Sequence, residues 1–344
     1  MGPVAKKKSE LDEARARLYK DLDKLVAPGA GRLLSDQVYE PLERVSTGTV
    51  AGDWVTGGGV PYGRITELFG PPSGGKSALS MRILANIQKS GRQVALIDAE
   101  RSFDAAWAEH LGLDVANVFL LNPENAEQAA TAMLTYMQHG IQGIVVDSIP
   151  AMRTRAELEG KVGEAHVGEV PRLWSKSLPR IQPLADQTGC AIIMLNQVRA
   201  NIGGSKFNAE TTGGGFALKH AYTMRIELRR AGPIKNGEEE IGTQVRLKVV
   251  KNRGPFGRRM NTPFLYGVGF SQEFEILTMG LDNKTFSRSG SFYSYGDERM
   301  GQGRIEAYEW LCARPELIDK LRGEFLATML PDQTADETEP ESTE

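Results

Sequence analysis

Short apolar runs alternate with amphipathic stretches through the middle of the chain. Five such runs predict strands: RITELFG (64–70), VALIDAE (94–100), VFLLNP (118–123), GIVVDS (143–148) and AIIMLNQ (191–197). Stretches with helical spacing lie between them, for example NAEQAATAMLTYMQHG after the third run. Continuous apolar strands separated by amphipathic helices are typical of a parallel sheet covered on both faces. The pattern therefore predicts an α/β fold with a mostly parallel central sheet flanked by helices.

The two ends of the chain follow different patterns. Residues 9–26 place leucines at helical spacing and predict an N-terminal helix that stops at Pro28-Gly29. After residue 220, longer alternating segments joined by turns predict an antiparallel extension, and residues 301–330 predict two helices. We therefore expect four parts: an N-terminal part (1–42), a core (43–272), a small α+β C-terminal domain (273–330) and a disordered acidic tail (331–344).

Composition narrows the class of protein. The chain has 40% hydrophobic and 25% charged residues, as in globular proteins, and no apolar run approaches the ~20 residues of a membrane-spanning helix. The basic N-terminus has no apolar segment behind it, so it does not predict a secretory signal. Cys190 and Cys312 lie far apart and suggest neither a disulfide framework nor a metal site. We predict a cytoplasmic protein without a membrane partner.

The negative charge is concentrated in the tail. Residues 331–344 hold six acidic residues and no basic ones, which leaves 38 of the 44 acidic residues against 41 basic residues elsewhere. The rest of the chain is thus mildly basic, although the whole chain has a net charge of −3. The tail is either a solvated end that helps solubility or a segment that competes electrostatically with a bound polyanion.

A phosphate-binding motif lies between the first predicted strand and the helix after it. Residues 70–77, GPPSGGKS, match GxxxxGK[ST] in the context that the motif requires. Backbone N–H groups close around phosphate oxygens there, and the helix N-terminus adds partial positive charge. Lys76 would neutralise phosphate charge, and Ser77 would ligate Mg²⁺. We assign nucleotide contacts to the whole motif: Gly70, Pro71, Pro72, Ser73, Gly74, Gly75, Lys76 and Ser77.

Polar residues also end three later strands. Asp147 can hold Mg²⁺ through its water shell, or it can cap the following helix. Glu100 can orient or deprotonate an attacking water, or it can be a salt-bridged loop carboxylate. Gln197 can bond a γ-phosphate, or it can simply end the fifth strand. These residues favour hydrolysis of a nucleoside triphosphate.

Several blocks of sequence resemble those of the RecA family of bacterial and phage DNA recombinases. The blocks are GPPSGGKS, LIDAERSFD, GIVVDSIPA, LNQVR, ETTGGGFALK, VRLKVVKNR, YSYGDERMGQG and the helix around EAYEWL. They keep the family's order over most of the chain, from about Glu43 to Leu330, with enough departures to suggest a divergent member. The resemblance implies a RecA-type P-loop NTPase core and a DNA-dependent ATPase that uses ATP and Mg²⁺.

The resemblance also implies partners and a cellular role. The protein would form a helical homo-oligomer on single-stranded DNA, pair that strand with homologous duplex DNA and exchange strands. This activity would serve homologous recombination, DNA repair and the SOS response. Single-strand-binding and mediator proteins would be further partners. The family's organisation assigns residues 1–42 to a helix and a segment for oligomerisation.

The family's site residues carry over to matching positions. Residues 157–172 and 197–219 would be the two DNA-binding loops, with these contacts: Arg172, Arg199, Phe207, Gly213, Gly214 and Gly215. Gln197 would sense the γ-phosphate and pass its state to the second loop. Lys251 and Arg253 would reach the ATP of a neighbouring protomer and complete a catalytic set with Lys76, Glu100 and Gln197. Nucleotide contacts are also assigned to Asp104, Trp107 and Tyr266.

Plainer interpretations stay open. Lys251 and Arg253 also fit cations on an exposed strand face, Trp107 fits a helix core position, and Phe207 fits an incidental loop aromatic as well as a wedge between bases. Two other classes of protein also stay open as alternatives to a recombinase. One is a RecA-fold ring motor, such as a replicative helicase, and the other is a coating or mediator protein that binds ATP without hydrolysing it. The ETTGGG and YSYGDERMGQG blocks argue against the motor. The presence of Glu100 with the other site residues disfavours the mediator.

Overall fold

The computed structural model describes residues 3–28, 31, 42–161, 168–200, 210–252 and 258–329. The helices are α1 (Pro3–Leu25), α2 (Val50–Thr56), α3 (Lys76–Lys89), α4 (Ala105–His110), α5 (Ala126–Gln138), α6 (Arg155–Glu159), α7 (Glu169–Thr188), α8 (Gly215–Ala221), α9 (Gln272–Asp282), α10 (Arg304–Cys312) and α11 (Pro315–Met329). The strands are β1 (Arg44–Val45), β2 (Val60–Pro61), β3 (Ile65–Gly70), β4 (Val94–Asp98), β5 (Val118–Leu121), β6 (Gly143–Asp147), β7 (Ala191–Ala200), β8 (Glu210–Thr212), β9 (Met224–Asn236), β10 (Glu239–Asn252), β11 (Arg259–Leu265), β12 (Gly269–Phe270), β13 (Ser287–Ser289), β14 (Phe292–Tyr295) and β15 (Glu298–Gln302).

The chain divides into two compact units, residues 1–42 and 43–344. In the first unit, α1 is the predicted N-terminal helix, and it begins six residues earlier than predicted, at Pro3. Exposed ion pairs along the helix join Arg15 to Asp12 at 3.5 Å and Arg17 to Glu13 at 3.6 Å. Pairs at these spacings stabilise a helix by only about 0.2–0.5 kcal/mol each.

One large sheet organises the second unit. Its strand order is β12-β11-β10-β9-β3-β7-β6-β4-β5, and β8 pairs with β7. The six strands from β9 to β5 in this order are parallel, whereas β8 and β10 to β12 pair antiparallel. Strands β3, β4 and β6 are buried along their whole length, which explains their continuous apolar sequences. The predicted α/β fold, with its mostly parallel sheet and antiparallel extension, is confirmed.

Apolar clusters cover both faces of this sheet. One cluster joins α3 to β-strand residues that include Leu68 and Ile193. The other joins α5 and α7 to residues that include Ile192, and it buries Trp174 completely. Successive strand residues point to opposite faces, so neighbouring Ile192 and Ile193 lie under different helices. Within the described ranges, none of the helices combines the length and the apolar character of a membrane span.

The C-terminal elements form a smaller layer around a third apolar cluster. Strands β13 to β15 make an antiparallel sheet that packs with α9, α10 and α11. Phe286 and Leu311 are buried in this cluster, and Val50 of α2 belongs to it as well. The small C-terminal sheet and the two predicted helices near the end of the chain are therefore present in the structure.

Polar contacts also join these C-terminal elements to α2. Arg322 of α11 donates to the buried carboxylate of Asp53. Glu275 of α9 accepts hydrogen bonds from the backbone N–H groups of Val50, at 2.6 Å, and Ala51, at 2.8 Å. The N-terminus of α2 is thus bound by a buried carboxylate from a distant part of the sequence.

Candidate functional site

The glycine-rich motif joins the end of β3 to the start of α3. Gly70 has a φ of +152°, and a Cβ atom there would lie 2.1 Å from the carbonyl oxygen of Leu228 on β9. Gly75 precedes α3 with a φ of +86°, a left-handed conformation that favours glycine. Because Gly75 has no side chain, it leaves the first N–H groups of α3 available to an anion. The backbone of residues 70–77 is therefore suited to hold phosphate.

Lys76 lies across this loop. Its ammonium group donates to the carbonyl oxygens of Gly70, at 3.2 Å, and Pro71, at 2.7 Å. Burial lowers the pKa of Lys76, whereas the nearby carboxylates of Asp147 and Glu100 raise it. A cation in this position is placed to neutralise phosphate charge at the loop.

Ser77 and Asp147 form the candidate Mg²⁺ pair. The Ser77 hydroxyl donates to Oδ2 of Asp147 at 2.8 Å. Burial raises the pKa of Asp147 to about 6, and the hydrogen bond from Ser77 opposes that shift. Among the described residues, no group of three or more His, Cys, Asp or Glu could hold a metal ion. The two oxygens suit Mg²⁺ only in combination with the phosphates of a bound nucleotide, which is the donor set that Mg²⁺ commonly uses.

A cavity of about 100 Å³ connects this pair with two of the predicted nucleotide contacts, Asp104 and Trp107. Four predicted site residues are among those that line it: Ser77, Asp147, Asp104 and Trp107. Asp104 caps α4 by accepting a hydrogen bond from the backbone N–H of Trp107 at 3.0 Å, which fixes the start of that helix at the cavity. The ring of Trp107 stacks on His110 with 5.2 Å between centroids. Tyr266 is not part of this lining, and its hydroxyl donates to Glu240 at 2.5 Å.

Glu100 and Gln197 contact each other across the end of β6, which lies between β4 and β7 in the sheet. Gln197 Nε2 donates to Glu100 Oε1 at 3.2 Å. The same carboxylate oxygen accepts a hydrogen bond from the hydroxyl of Ser148. Glu100 follows β4, Ser148 follows β6 and Gln197 belongs to β7, so three strands bring these side chains together. The structure thus joins the residue predicted to activate water with the residue predicted to sense the γ-phosphate.

Five residues form what we call the buried polar cluster: Glu67, Asn196, Thr212, Gly213 and Arg225. The Glu67 carboxylate is completely buried and accepts hydrogen bonds from Asn196 Nδ2, at 2.8 Å, and Arg225 Nε, at 2.5 Å. Burial raises the pKa of Glu67, while the charge and hydrogen bond of Arg225 lower it. Arg225 Nη2 also donates to Thr212 Oγ1 at 3.1 Å. The cluster joins β3, β7 and β9 to the end of the predicted second DNA loop.

The predicted DNA contacts occupy two regions. In the second loop, Arg199 is exposed on β7 opposite Thr211 of β8. Residues 213–215 lead into α8, where Gly214 and Gly215 have φ values of +86° and +81°. Arg172 lies in the first turn of α7 and lines a separate cavity of about 480 Å³ between α5 and α7.

Lys251 makes contacts within its own chain. Its ammonium group donates to the carbonyl oxygens of Lys219, at 2.7 Å, and His220, at 3.1 Å, at the end of α8. A cation stabilises a helix at this end because the last carbonyl groups carry partial negative charge. The predicted partner Arg253 lies outside the described residues. Phe207, residues 162–167 and the tail 331–344 also lie outside them.

Comparison with known proteins covers nearly the whole chain. The model of the RecA N-terminal domain matches residues 14–271, and that of the RecA C-terminal domain matches residues 274–329. The chain belongs to the RecA family. A protein named Protein RecA from Lactiplantibacillus pentosus is 38% identical over 334 residues, which are 96% of this chain and 87% of that protein. Another of that name, from Rubrobacter xylanophilus, is 37% identical over 321 residues, 92% of each chain.

Membership of the RecA family supports a role in recombination and repair and implies that the chain uses a nucleotide. Four residues of the site were not predicted to have a role: Glu67, Ser148, Asn196 and Arg225. Ser148 and Asn196 do lie within two of the RecA blocks, GIVVDSIPA and LNQVR. Glu67 had one available signal, because it is an acidic residue inside the otherwise apolar strand ITELFG. Asn196 could have been noticed only as the neighbour of Gln197 in the RecA block LNQVR.

Proposed function

We propose that the chain is an ATP-dependent recombinase of homologous recombination and DNA repair. It forms a helical filament on single-stranded DNA, pairs that strand with homologous duplex DNA and exchanges strands. It hydrolyses ATP to ADP and phosphate, faster when DNA is bound. The observation that carries this proposal is the 3.2 Å hydrogen bond between Gln197 and Glu100. This bond links the strand that enters the predicted second DNA loop to the carboxylate assigned to hydrolysis.

The proposed reaction assigns a task to each side chain around the phosphates. The backbone of residues 70–77 holds the phosphate groups, and Lys76 neutralises their charge. Ser77 and Asp147 would hold Mg²⁺, which when bound supplies further charge neutralisation. Glu100 orients a water molecule and accepts its proton. Asp104, Trp107 and Tyr266 contact the rest of the nucleotide.

The proposed function also depends on assembly and on DNA. Lys251 and Arg253 act on the ATP of a neighbouring protomer, so hydrolysis requires the filament. The DNA contacts are Arg172, Arg199, Phe207, Gly213, Gly214 and Gly215, in loops 157–172 and 197–219. Residues 1–42 serve oligomerisation, residues 43–272 form the ATPase core, and the 273–330 domain and the 331–344 tail complete the chain. The protein acts in the cytoplasm and in the SOS response, with single-strand-binding and mediator proteins as further partners.

The first test is ATP hydrolysis with and without a single-stranded oligonucleotide, in the wild type and in Glu100→Gln. We expect strong stimulation by DNA that is lost in Glu100→Gln and kept in the matched variant Glu316→Gln, which changes an exposed glutamate on α11. Hydrolysis that ignores DNA would indicate another RecA-fold ATPase, and directional unwinding of a forked duplex would identify a motor. ATP binding without hydrolysis would indicate a coating or mediator protein. Electron microscopy and a strand-exchange assay then test the filament and the pairing reaction.

A further inference from the structure

The predicted second DNA loop leaves the sheet through a short antiparallel stem. The stem pairs Val198 with Thr212, Arg199 with Thr211 and Ala200 with Glu210. At its base, the side chain of Asn196 binds both backbone groups of Gly213. Oδ1 accepts from the Gly213 N–H at 3.2 Å, and Nδ2 donates to the Gly213 carbonyl oxygen at 3.0 Å. The position of Gly213 therefore depends on the position of Asn196.

The Asn196 amide is saturated with partners. Its second donor bond goes to Glu67 Oε1 at 2.8 Å, and its oxygen also accepts from the Gln197 N–H at 2.9 Å. Two donor and two acceptor bonds are the full capacity of an asparagine side chain. Because Asn196 is completely buried, any bond that it loses cannot be replaced by solvent. The amide is thus held in one orientation by four separate bonds.

Glu67 and Arg225 of the buried polar cluster also hold the stem, through its last residue, Thr212. Glu67 is held by Arg225, whose guanidinium group lies 4.8 Å from the ring centre of Phe69. That guanidinium group also binds Thr212, the last residue of the stem. A buried charge without its partner is strongly unfavourable, so the Glu67–Arg225 pair strongly favours the arrangement in which the stem is held.

Asn196 and Gln197 link the buried polar cluster to the candidate nucleotide site. They are consecutive residues of β7, so their side chains point to opposite faces of the strand. Gln197 reaches Glu100 in the candidate nucleotide site, while Asn196 reaches the buried polar cluster. A displacement of this strand end on the nucleotide side must therefore shift the bonds that Asn196 makes to Gly213.

We propose that Asn196 is a positioning residue that couples the nucleotide site to the stem of the DNA loop through the buried polar cluster. The proposal rests on the proposed function and adds Glu67 and Arg225 as the supports of Asn196. A nucleotide contact that draws Gln197 away from Glu100 moves Asn196, and Gly213 and Thr212 move with it. DNA bound by the loop acts on the same bonds in the opposite direction, as reciprocity of binding energies requires.

The test uses Asn196→Asp, which removes the amide donor and places a second carboxylate against Glu67. Two ratios measure coupling: ATP hydrolysis with and without a poly-dT oligonucleotide, and oligonucleotide affinity with and without a non-hydrolysable ATP analogue. We expect both ratios to fall by about fivefold or more, since coupling between sites usually spans about 5- to 150-fold. Affinity for a fluorescent ATP analogue should stay near that of the wild type, because Asn196 is not assigned a nucleotide contact.

A second substitution tests whether the lost coupling can be restored. Such a rescue is expected for a positioning role of Asn196 and not for a merely structural one. Glu67→Gln added to Asn196→Asp exchanges donor and acceptor across the 2.8 Å bond and keeps the net charge. Both ratios should recover in part. The matched control is Asn86→Asp, because Asn86 donates to the Ser46 carbonyl oxygen at 2.9 Å, outside the buried polar cluster. It should leave both ratios unchanged.

The outcomes separate this proposal from the proposed function. A folded Asn196→Asp protein with wild-type ratios, or a loss that Glu67→Gln does not restore, overturns the positioning role. If circular dichroism shows that Asn196→Asp is unfolded, Thr212→Val replaces it, because this change removes only the hydroxyl that Arg225 binds. Unchanged ratios in Thr212→Val then overturn the role. A wild-type protein with no response to DNA in either ratio overturns the proposed function and this coupling with it.

Discussion

Glu275→Gln tests whether burial or hydrogen bonding determines the charge of the carboxyl group that joins α9 to α2. The Glu275 carboxylate is only 2% exposed. Its two hydrogen bonds from the first N–H groups of α2 favour the ionised form. Burial favours the neutral form, and it is the larger effect, raising the pKa of Glu275 to about 7. The side chain should therefore titrate well above the range of an exposed glutamate.

The sign and size of the effect on folding follow from this shift. Glutamate in an unfolded chain has a pKa near 4.5, so between about pH 4.5 and about pH 7 the folded chain holds more protons than the unfolded chain. The free energy of unfolding contributed by Glu275 is therefore highest below this window and falls as the pH rises through it. At about 1.4 kcal/mol per pKa unit, the loss reaches about 3 kcal/mol above pH 7.

Glutamine does not titrate, and its amide oxygen accepts one of the two N–H bonds, but its NH2 group cannot accept the other. The Glu275→Gln protein should therefore be less stable than the wild type by about 1 kcal/mol at about pH 5, and it should gain about 3 kcal/mol relative to the wild type by about pH 8. Urea unfolding followed by circular dichroism at several pH values gives the free energy of unfolding of the wild type and of the variant. In the difference between the two, the contributions of the titratable groups that both proteins share cancel. Glu309→Gln, at an exposed position on α10, is the matched control. A Glu275→Gln protein that is less stable than the wild type by a constant amount would refute the reasoning, because the ionised carboxylate and its two bonds would then outweigh burial.

Three further predictions concern the loop, the C-terminal layer and the cavity. Gly70→Ala should abolish binding of a fluorescent ATP analogue, because its Cβ would lie 2.1 Å from a carbonyl oxygen of β9. The control is Gly323→Ala, at a position with open space around it. Retained binding by Gly70→Ala would contradict the prediction. Arg322→Ala should lower the free energy of unfolding by about 2 kcal/mol in urea, because the buried Asp53 carboxylate loses a cationic partner; an unchanged midpoint would count against it. Trp107→Ala should weaken ATP binding about tenfold, as loss of one base–aromatic stack predicts, whereas Trp107→Phe should keep most of the affinity. Equal affinities of the wild type and both variants for ATP would exclude stacking.

Much of the fold could be predicted because its signals are local in sequence. Strands such as Val94–Asp98 and Gly143–Asp147 are buried on both faces, so their apolar character is continuous. The phosphate-binding loop is a contiguous motif with fixed spacing, and its strand and helix could be located from the same few residues. The start of α1 was less predictable, since its first turns add charged residues rather than apolar periodicity.

The remaining parts of the site depend on pairing between distant strands. Glu67 lies opposite Met194 of β7 and Arg225 of β9 in the register of the sheet. Neither pairing has a signature in the sequence around Glu67, so the partners of this carboxylate could not be foreseen. The contact of Ser148 with Glu100 has the same cause, because it joins the ends of β6 and β4. Local patterns predict elements, whereas side-chain partners follow from register.

The order of the strands also governs when the nucleotide site can form during synthesis. Strand β3 lies between β7 and β9, both of which come much later in the chain. Gly70 rests against the carbonyl group of Leu228, so the phosphate loop lacks one wall until that residue has left the ribosome. Contacts between such distant segments also slow folding, because a long loop must close before they form. We therefore expect a nascent chain that already contains the whole GPPSGGKS motif to bind nucleotide poorly, and we expect its early strands to remain accessible to chaperones until most of the core has been translated.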